Sequence, residues 1–252
     1  MRKESLELPG EFEIPQASAW MKSVDTPLHH YDGPCEGVLV DVGAHTGLLS
    51  VRAAQAGFES IYCYEASTHS FQALHSNMQL VKTPGVSHQL HNLAVTSVTG
   101  QEFILYDYKV KGDSGGTNTG MRSALYRDGM RNVHSQVQTI SLEDIISCHP
   151  RIEFLKVDIE GGEYTAFKPT ASLRELLRRV HYLSVELHTV ADPTFFDPVV
   201  FERTHPWYSS AEAAGPELVD FLRKCGFIDS SYELAMDSPT EEFASYNRNR
   251  SV

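Results

Sequence analysis

Hydrophobic and polar residues are arranged along the chain in blocks that predict strands followed by helices. Residues 38–42 form an apolar, β-branched run of the kind found in strands buried on both faces, and residues 46–56 then have helical character. Residues 61–64 repeat the apolar run ahead of a segment whose apolar positions recur three and four residues apart. Residues 154–157 and 182–187 are two further strands of the buried type.

Strands that alternate with helices predict parallel βαβ units. We therefore expect an α/β fold, with a Rossmann-like, mostly parallel, doubly wound sheet and helices on both faces. Weaker strand patterns lie at residues 87–95, 101–108, 133–140 and 227–236. Because such sheets bind ligands beyond the carboxyl ends of their strands, the candidate positions are residues 41–43, Glu65, Asn92, 158–160 and 186–188.

The pattern divides the chain into a lead-in, one domain and a tail. Residues 1–36 predict an irregular lead-in, and residues 37–236 predict the domain. Within the domain, a Gly-rich inserted loop is expected at about 107–133 and a Pro-rich cover segment at about 191–210. The polar tail, 237–252, is expected to be disordered. Five aromatic residues of the cover segment fit an acceptor pocket and a last core layer equally well: Phe195, Phe196, Phe201, Trp207 and Tyr208.

Charge and composition narrow the classes of partner. The chain has 33 acidic and 21 basic residues and a formal net charge of −12. The richest basic cluster, at Arg174, Arg178 and Arg179, fits a solvated helix face, so we expect no nucleic-acid partner. No apolar stretch approaches the roughly 18 residues that a membrane span needs, and the four cysteines form no C-x-x-C pair. These features predict a soluble, cytoplasmic protein with no membrane partner, and they leave its oligomeric state unassigned.

A glycine turn follows the first strand. Gly43 and Gly47 have the spacing G-x-x-x-G, whereas a dinucleotide fingerprint requires G-x-G-x-x-G. His45 occupies the place of the second glycine of that fingerprint, where a side chain would meet the pyrophosphate. The loop therefore disfavours nicotinamide and flavin dinucleotides and is compatible with S-adenosylmethionine, which carries no phosphate.

Glu65 strengthens the prediction of a nucleoside cofactor. It ends the second strand, 22 residues after Gly43, which is close to the spacing that places an acid on a ribose diol. A carboxylate can accept hydrogen bonds from both ribose hydroxyls. A solvated strand-end acid is the alternative reading of Glu65 alone, and the glycine turn before it favours the ribose.

Two motifs resemble those of the FkbM family of methyltransferases. Residues 41–47 read D-V-G-A-H-T-G, which is similar to the family's D-V-G-A-N-x-G loop. Residues 154–164 read F-L-K-V-D-I-E-G-G-E-Y and contain its K-x-D-x-E-G-x-E motif. The resemblance extends over about residues 37–190. It includes the Asn92 segment N-L-A-V and the element T-I-S-L-E-D, and His45 departs from the usual Asn.

The resemblance implies S-adenosylmethionine as the cofactor and methyl transfer to a hydroxyl oxygen, commonly of a sugar or a polyketide-type metabolite. The acceptor is thus expected to be a small molecule or a glycan. Residues 191–252 lie outside the resemblance, so the acceptor itself is not named. The residues expected to bind the cofactor are Asp41, Gly43, Ala44, His45, Thr46, Gly47, Glu65, Ala66, Asn92, Ala94 and Asp158.

The candidate catalytic residues are Asp158, Glu160, Glu186 and His188. Methyl transfer needs precise positioning, and an alcohol acceptor also needs a group that removes its proton. Residues two apart on an extended chain point to the same side, and the two strands are expected to be neighbours. His188, oriented by Glu186 or Glu160, is the expected base, although ordinary strand-end hydrogen bonds are the alternative. We assign no metal site, while noting that Asp158, Glu160 and His188 together would suit iron or zinc.

Two other functional classes stay open. A non-catalytic module could keep the fold and bind a partner through residues 191–210, but the acids at positions 41 and 65 are both retained. A dinucleotide oxidoreductase is the second alternative, and His45 argues against it.

Overall fold

The computed structural model describes residues 33–107, 122–123, 133–188, 197–234 and 241–248, together with Leu28 and Tyr31. The strands are β1 (Val38–Val42), β2 (Ser60–Tyr64), β3 (Ser87–His91), β4 (Ala94–Thr96), β5 (Glu102–Asp107), β6 (Arg122–Ser123), β7 (Val133–Ser141), β8 (Ile152–Val157), β9 (Val180–His188), β10 (Phe227–Leu234) and β11 (Glu241–Arg248). The α-helices are α1 (Leu48–Ala56), α2 (Thr68–Gln79), α3 (Leu142–Ser147), α4 (Glu163–Ala166), α5 (Ala171–Leu176), α6 (Pro198–Thr204) and α7 (Ala211–Lys224). Within these residues no helix combines the length and the apolar character that crossing a bilayer requires.

The main sheet has seven strands in the order β10-β11-β9-β8-β1-β2-β3. The five strands from β9 to β3 are parallel, and β11 pairs antiparallel with both β9 and β10. Strand β1 is central and lies between β8 and β2, as its apolar sequence requires. The predicted fold class, a mostly parallel α/β sheet of the Rossmann-like methyltransferase type, is confirmed.

A smaller sheet, in the order β4-β7-β5-β6, lies between β3 and α3 in the sequence. The single strand predicted over 87–95 is wrong, because β3 belongs to the main sheet and β4 to this second one. The chain changes direction at Asn92, whose side-chain amide donates to the backbone oxygens of Glu65 (2.8 Å) and Ala66 (3.1 Å). Of the expected inserted loop, residues 108–121 and 124–132 lie outside the described residues.

Two hydrophobic cores cover the two faces of the main sheet. One packs Val51, Phe58 and Leu74 against Phe154, and the other packs residues of α3, α5 and α7 against β8 and β9. Such apolar layers on both faces stabilise a doubly wound sheet.

The described part of the cover segment contains α6 and joins the second core. Phe201 is 1% exposed, and its ring meets Tyr164 edge-on at a centroid distance of 5.5 Å. Tyr208 is also buried against Tyr164, and Trp207 packs on the same core. For these three aromatic residues the structure favours the core-layer alternative over an acceptor pocket. Phe195 and Phe196 lie outside the described residues.

The expectation of a disordered tail from residue 237 is wrong for residues 241–248. They form β11, which is inserted between β9 and β10. Its backbone pairs with β9 from Glu241 opposite His188 to Asn247 opposite Tyr182. The polar composition of the segment hid this strand, because its formation depends on backbone groups supplied by two distant partners.

A truncation tests the structural role of β11. Ending the chain at residue 240 should lower the free energy of unfolding by about 3 kcal/mol or more, because β9 and β10 each lose a row of hydrogen-bond partners. Urea unfolding monitored by circular dichroism measures this change. A control chain that ends at Arg248 keeps β11 and should retain the stability of the full chain. Equal stability of both truncated chains would contradict the placement of β11.

Candidate active site

The loop that follows β1 is tied to the end of β2. The amides of Gly43 and Ala44 both donate to the backbone oxygen of Tyr64, at 2.9 and 3.0 Å. The amide of His45 donates to Oε2 of Glu65 at 2.8 Å. These three amides are therefore used within the protein and are not aimed at an anionic ligand. This arrangement gives a second reason, besides the His45 side chain, why the loop is poorly suited to a pyrophosphate.

Packing within the protein explains the two glycines of the loop. Gly43 has φ +76, and a Cβ there would lie 1.7 Å from the carbonyl oxygen of Asp158. Gly47 has φ +85, and a Cβ there would lie 2.6 Å from Cδ1 of Leu74. The residue after β8 and the helix α2 therefore leave no room for a side chain at these two positions. His45 also adopts a left-handed conformation, with φ +50, in the same tight turn.

Glu65 lies directly after β2, where the sequence places a ribose ligand. Its Oε2 accepts the amide of His45, and its Oε1 accepts the amide of Ser67 at 2.7 Å. The carboxylate is therefore held in one orientation at the end of β2. Asn92 supports this segment by holding the backbone of Ala66.

Four further residues predicted to bind the cofactor are buried: Asp41, Ala44, Thr46 and Ala94. Asp41 and Thr46 lie within the protein, and Asn77 donates to the backbone oxygen of Thr46 at 2.8 Å. Ala44 belongs to the core, and Ala94 lies in β4, where it pairs with Thr139. These buried side chains support the loop and the neighbouring strand from the protein interior.

Lys156 joins the two central strands. Its Nζ donates to the backbone oxygen of Gly43 at 2.6 Å and lies 3.5 Å from Oδ1 of Asp41 and 3.3 Å from Oδ2 of Asp158. Oδ2 of Asp41 accepts the hydroxyl of Ser50 at 2.7 Å. Burial lowers the pKa of Lys156, but the Asp158 and Asp41 carboxylates outweigh burial and raise that pKa above its usual range. Lys156 is thus a buried cation that fixes the loop to the end of β8.

The four predicted catalytic residues lie together at the ends of β8 and β9. Nε2 of His188 is 3.3 Å from Oε2 of Glu160 and 3.9 Å from Oε1 of Glu186. One ligand atom from each of Asp158, Glu160 and His188 lies within 4.8 Å of the other two. The expectation that the two strand ends bring these side chains together is confirmed by this geometry.

Glu163 is a site residue that the sequence reasoning did not select. It is fully buried in the first turn of α4, and its Oε1 accepts the amide of Ile159 at 2.7 Å. The same oxygen is 3.3 Å from Nδ1 of His188, and the hydroxyl of Tyr164 donates to the backbone oxygen of His188 at 2.8 Å. The last Glu of the K-x-D-x-E-G-x-E motif was the available signal for this residue.

The carboxylates around His188 raise its pKa. Burial lowers the pKa of His188, but Glu163 and Glu160 outweigh burial and raise it well above its usual value. Burial raises the pKa of Glu160 to about 7, although His188 opposes the shift. Burial also raises the pKa of Asp158, but Lys156 and His188 reverse that effect and lower it. Because carboxylates face both ring nitrogens, the arrangement favours the protonated His188 ring, and this disfavours its expected role as a neutral base.

A comparison with models of known protein families shows which family the chain belongs to. A family model described as the methyltransferase FkbM domain matches residues 41–228, which is most of the chain. The chain belongs to the FkbM methyltransferase family. The matched residues of the FkbM domain include both motifs and both groups of candidate site residues, and they confirm the resemblance seen in the sequence. No curated protein matches the chain.

Solved structures of other methyltransferases have the same class I fold. Magnesium protoporphyrin IX methyltransferase from Synechocystis PCC 6803, solved with bound SAH, aligns with a TM-score of 0.51 and 12% identity over 94% of this chain and 90% of its own. Methyltransferase FkbM from Methylobacillus flagellatus KT aligns with a TM-score of 0.49 and 13% identity over 86% of this chain. The chain spans 44% of that FkbM structure. At 12% identity, the similarity to the Synechocystis enzyme establishes the fold alone.

A substitution tests the buried ion contacts of Lys156. Replacing Lys156→Met should lower the free energy of unfolding by about 3–5 kcal/mol, because Asp41 and Asp158 lose their buried cation. Chemical denaturation measures the loss. The control is Lys224→Met, which removes an exposed Lys–Asp pair on α7 and should cost less than about 1 kcal/mol. A similar loss in the two variants would show that the buried contacts do not stabilise the fold.

Proposed function

We propose that this chain is an S-adenosylmethionine-dependent methyltransferase that methylates a hydroxyl oxygen of a small metabolite or a sugar. The observation that carries the proposal is the meeting of two groups at one edge of the sheet. The first group is Glu65 with the loop of residues 43–47, at the ends of β2 and β1. The second is the acid–histidine cluster of Asp158, Glu160, Glu186 and His188, at the ends of β8 and β9. Gly43 packs directly on Asp158, so the two groups are adjacent. Membership of the FkbM family and the class I fold support the same reaction class.

The chemistry of the residues fits this cofactor. Glu65 is oriented by two backbone amides, and a carboxylate is a group that can accept hydrogen bonds from both ribose hydroxyls. The neighbouring carboxylates of Asp158 and Glu160 suit a positively charged sulfonium, and the loop needs no phosphate. Bound S-adenosylmethionine would supply the electrophilic methyl group. The Synechocystis methyltransferase of the same fold was solved with bound SAH, which is the product expected from such a cofactor.

The exposed carboxylates of the cluster are the groups that can reach an acceptor. The side chains of Asp158 and Glu160 are each 29% exposed, whereas that of His188 is 8% exposed. We assign contact with the acceptor to Asp158 and Glu160, and positioning to His188 and Glu186. The acceptor hydroxyl would pass its proton to a carboxylate while its oxygen forms a bond to the methyl carbon. The electron pair of the broken carbon–sulfur bond would stay on sulfur.

Isothermal titration calorimetry tests the cofactor. We expect binding of S-adenosylmethionine and S-adenosylhomocysteine, and Glu65→Ala should weaken that binding by about 1–3 kcal/mol through loss of the ribose hydrogen bonds. Glu59→Ala is the matched control, because Glu59 is exposed at the opposite end of β2 and should leave affinity unchanged.

Three outcomes would contradict parts of the proposal. Two come from calorimetry, in which NAD is also titrated, and the third comes from a screen for methyl transfer. Tight binding of NAD without S-adenosylmethionine binding would favour the oxidoreductase alternative. Unchanged affinity in Glu65→Ala would remove the ribose role of Glu65. Cofactor binding without methyl transfer to any hydroxyl compound in a metabolite screen would favour the non-catalytic module.

A further inference from the structure

We propose that Asp158, Glu160 and His188 form a binding site for a divalent transition-metal cation. Only the suggested use of that cation, to hold the acceptor hydroxyl, rests on the proposed methyl transfer. The binding site itself is argued from the side chains at the ends of β8 and β9.

The spacing of the three side chains suits a common cation. Their ligand atoms lie within 4.8 Å of one another, and the Glu160 and His188 atoms are 3.3 Å apart. Two ligand atoms about 2.1 Å from one tetrahedral cation are separated by about 3.4 Å. Small side-chain rotations would therefore bring the three atoms onto one ion. Three protein ligands leave a fourth position open, as in catalytic rather than structural metal sites.

Glu163 supplies an independent argument for a metal. Metal-bound histidines commonly donate the N–H of their second ring nitrogen to a carboxylate, which fixes the ring and directs the first nitrogen to the cation. Here Nδ1 of His188 is 3.3 Å from Oε1 of the fully buried Glu163, and Nε2 faces Glu160. The amide of Ile159 holds the Glu163 carboxylate in place. A carboxylate thus already lies beside Nδ1 of His188, where a small rotation of the ring would complete such a hydrogen bond.

Charge and backbone geometry favour the same occupant. The carboxylates of Glu160, Glu163 and Glu186 face His188, and the neighbouring carboxylate of Asp158 faces Lys156, whose other contacts go to Asp41 and to the backbone of Gly43. An added cation would reduce the mutual repulsion of these acids. Glu160 also has φ +55, a left-handed conformation that a non-glycine residue adopts at an energetic cost. This conformation accompanies the turn that brings the Glu160 carboxylate against β9.

The donor set selects the kind of cation. One imidazole and two carboxylates suit zinc or iron better than magnesium, which prefers an all-oxygen shell. We commit to Zn²⁺ as the probe, because it has no redox chemistry of its own. A cation in this position would hold the acceptor hydroxyl and lower the pKa of its proton. The structure therefore assigns a role to the cluster that the sequence pattern leaves open.

The test uses the full chain after treatment with a chelator. Calorimetry with Zn²⁺ should give saturable binding, with much weaker binding of Mg²⁺, and Co²⁺ should give visible absorption bands on the wild-type chain. Glu160→Gln and His188→Asn should each weaken Zn²⁺ binding by about 100-fold or more and abolish the Co²⁺ bands. Glu163→Gln should weaken it by about 10–100-fold. Glu175→Gln is the control, because Glu175 is an exposed acid on α5 and should bind as the wild type does.

Each result decides the proposal. Absence of saturable Zn²⁺ binding and of Co²⁺ bands in the wild-type chain would overturn it, and this measurement does not depend on the folding of any variant. Zn²⁺ binding that persists in folded Glu160→Gln and His188→Asn would place the ion elsewhere and would also overturn it. S-adenosylmethionine binding is measured on the same samples. Cofactor binding without Zn²⁺ binding rejects the metal site alone, and Zn²⁺ binding without cofactor binding rejects the proposed function alone.

Discussion

The buried contacts of Lys156 are the constraint on which the site depends. This one ammonium group meets the backbone of Gly43, the carboxylate of Asp41 and the carboxylate of Asp158, and so joins the central strands β1 and β8 where both end. A buried cation of this kind is stable only because two carboxylates compensate its loss of hydration. The end of β1 also lies very close to the end of β8, because Gly43 has no side chain and its backbone packs directly against Asp158. These contacts therefore hold the loop next to Glu65 against the acid–histidine cluster.

Much of the fold could be predicted from local patterns, and the exceptions have physical reasons. Strands β1, β8 and β9 are apolar runs, because both of their faces are covered, and such runs are visible in the sequence alone. Strand β11 was not predictable, because a polar segment becomes a strand only when β9 and β10 offer it backbone partners on both sides. The break at Asn92 was hidden for a related reason, since its side chain satisfies backbone oxygens that lie 26 and 27 residues earlier.

The sequence was enough to predict which residues meet at the candidate site, but not how their side chains affect one another. Spacing of two residues on neighbouring strands was enough to bring Asp158, Glu160, Glu186 and His188 together. The raised pKa of His188 could not be predicted, because Glu163, which contributes to the shift, reaches the ring from the start of α4. The packing role of the loop glycines could not be predicted either, because their missing side chains make room for Asp158 and Leu74, which lie on distant parts of the chain. Both properties depend on distances between residues of different helices and strands, and the spacing of residues along the sequence does not give those distances.

The central claim is that one edge of the sheet holds the nucleoside end of the cofactor at Glu65 and its sulfur beside the acid–histidine cluster. A crystal structure of the full chain with S-adenosylhomocysteine tests this claim most directly. We predict that the ribose hydroxyls lie within hydrogen-bonding distance of the Glu65 carboxylate and that the sulfur faces Asp158 and Glu160. Density for the ligand at another position, or a ribose without contact to Glu65, would contradict it.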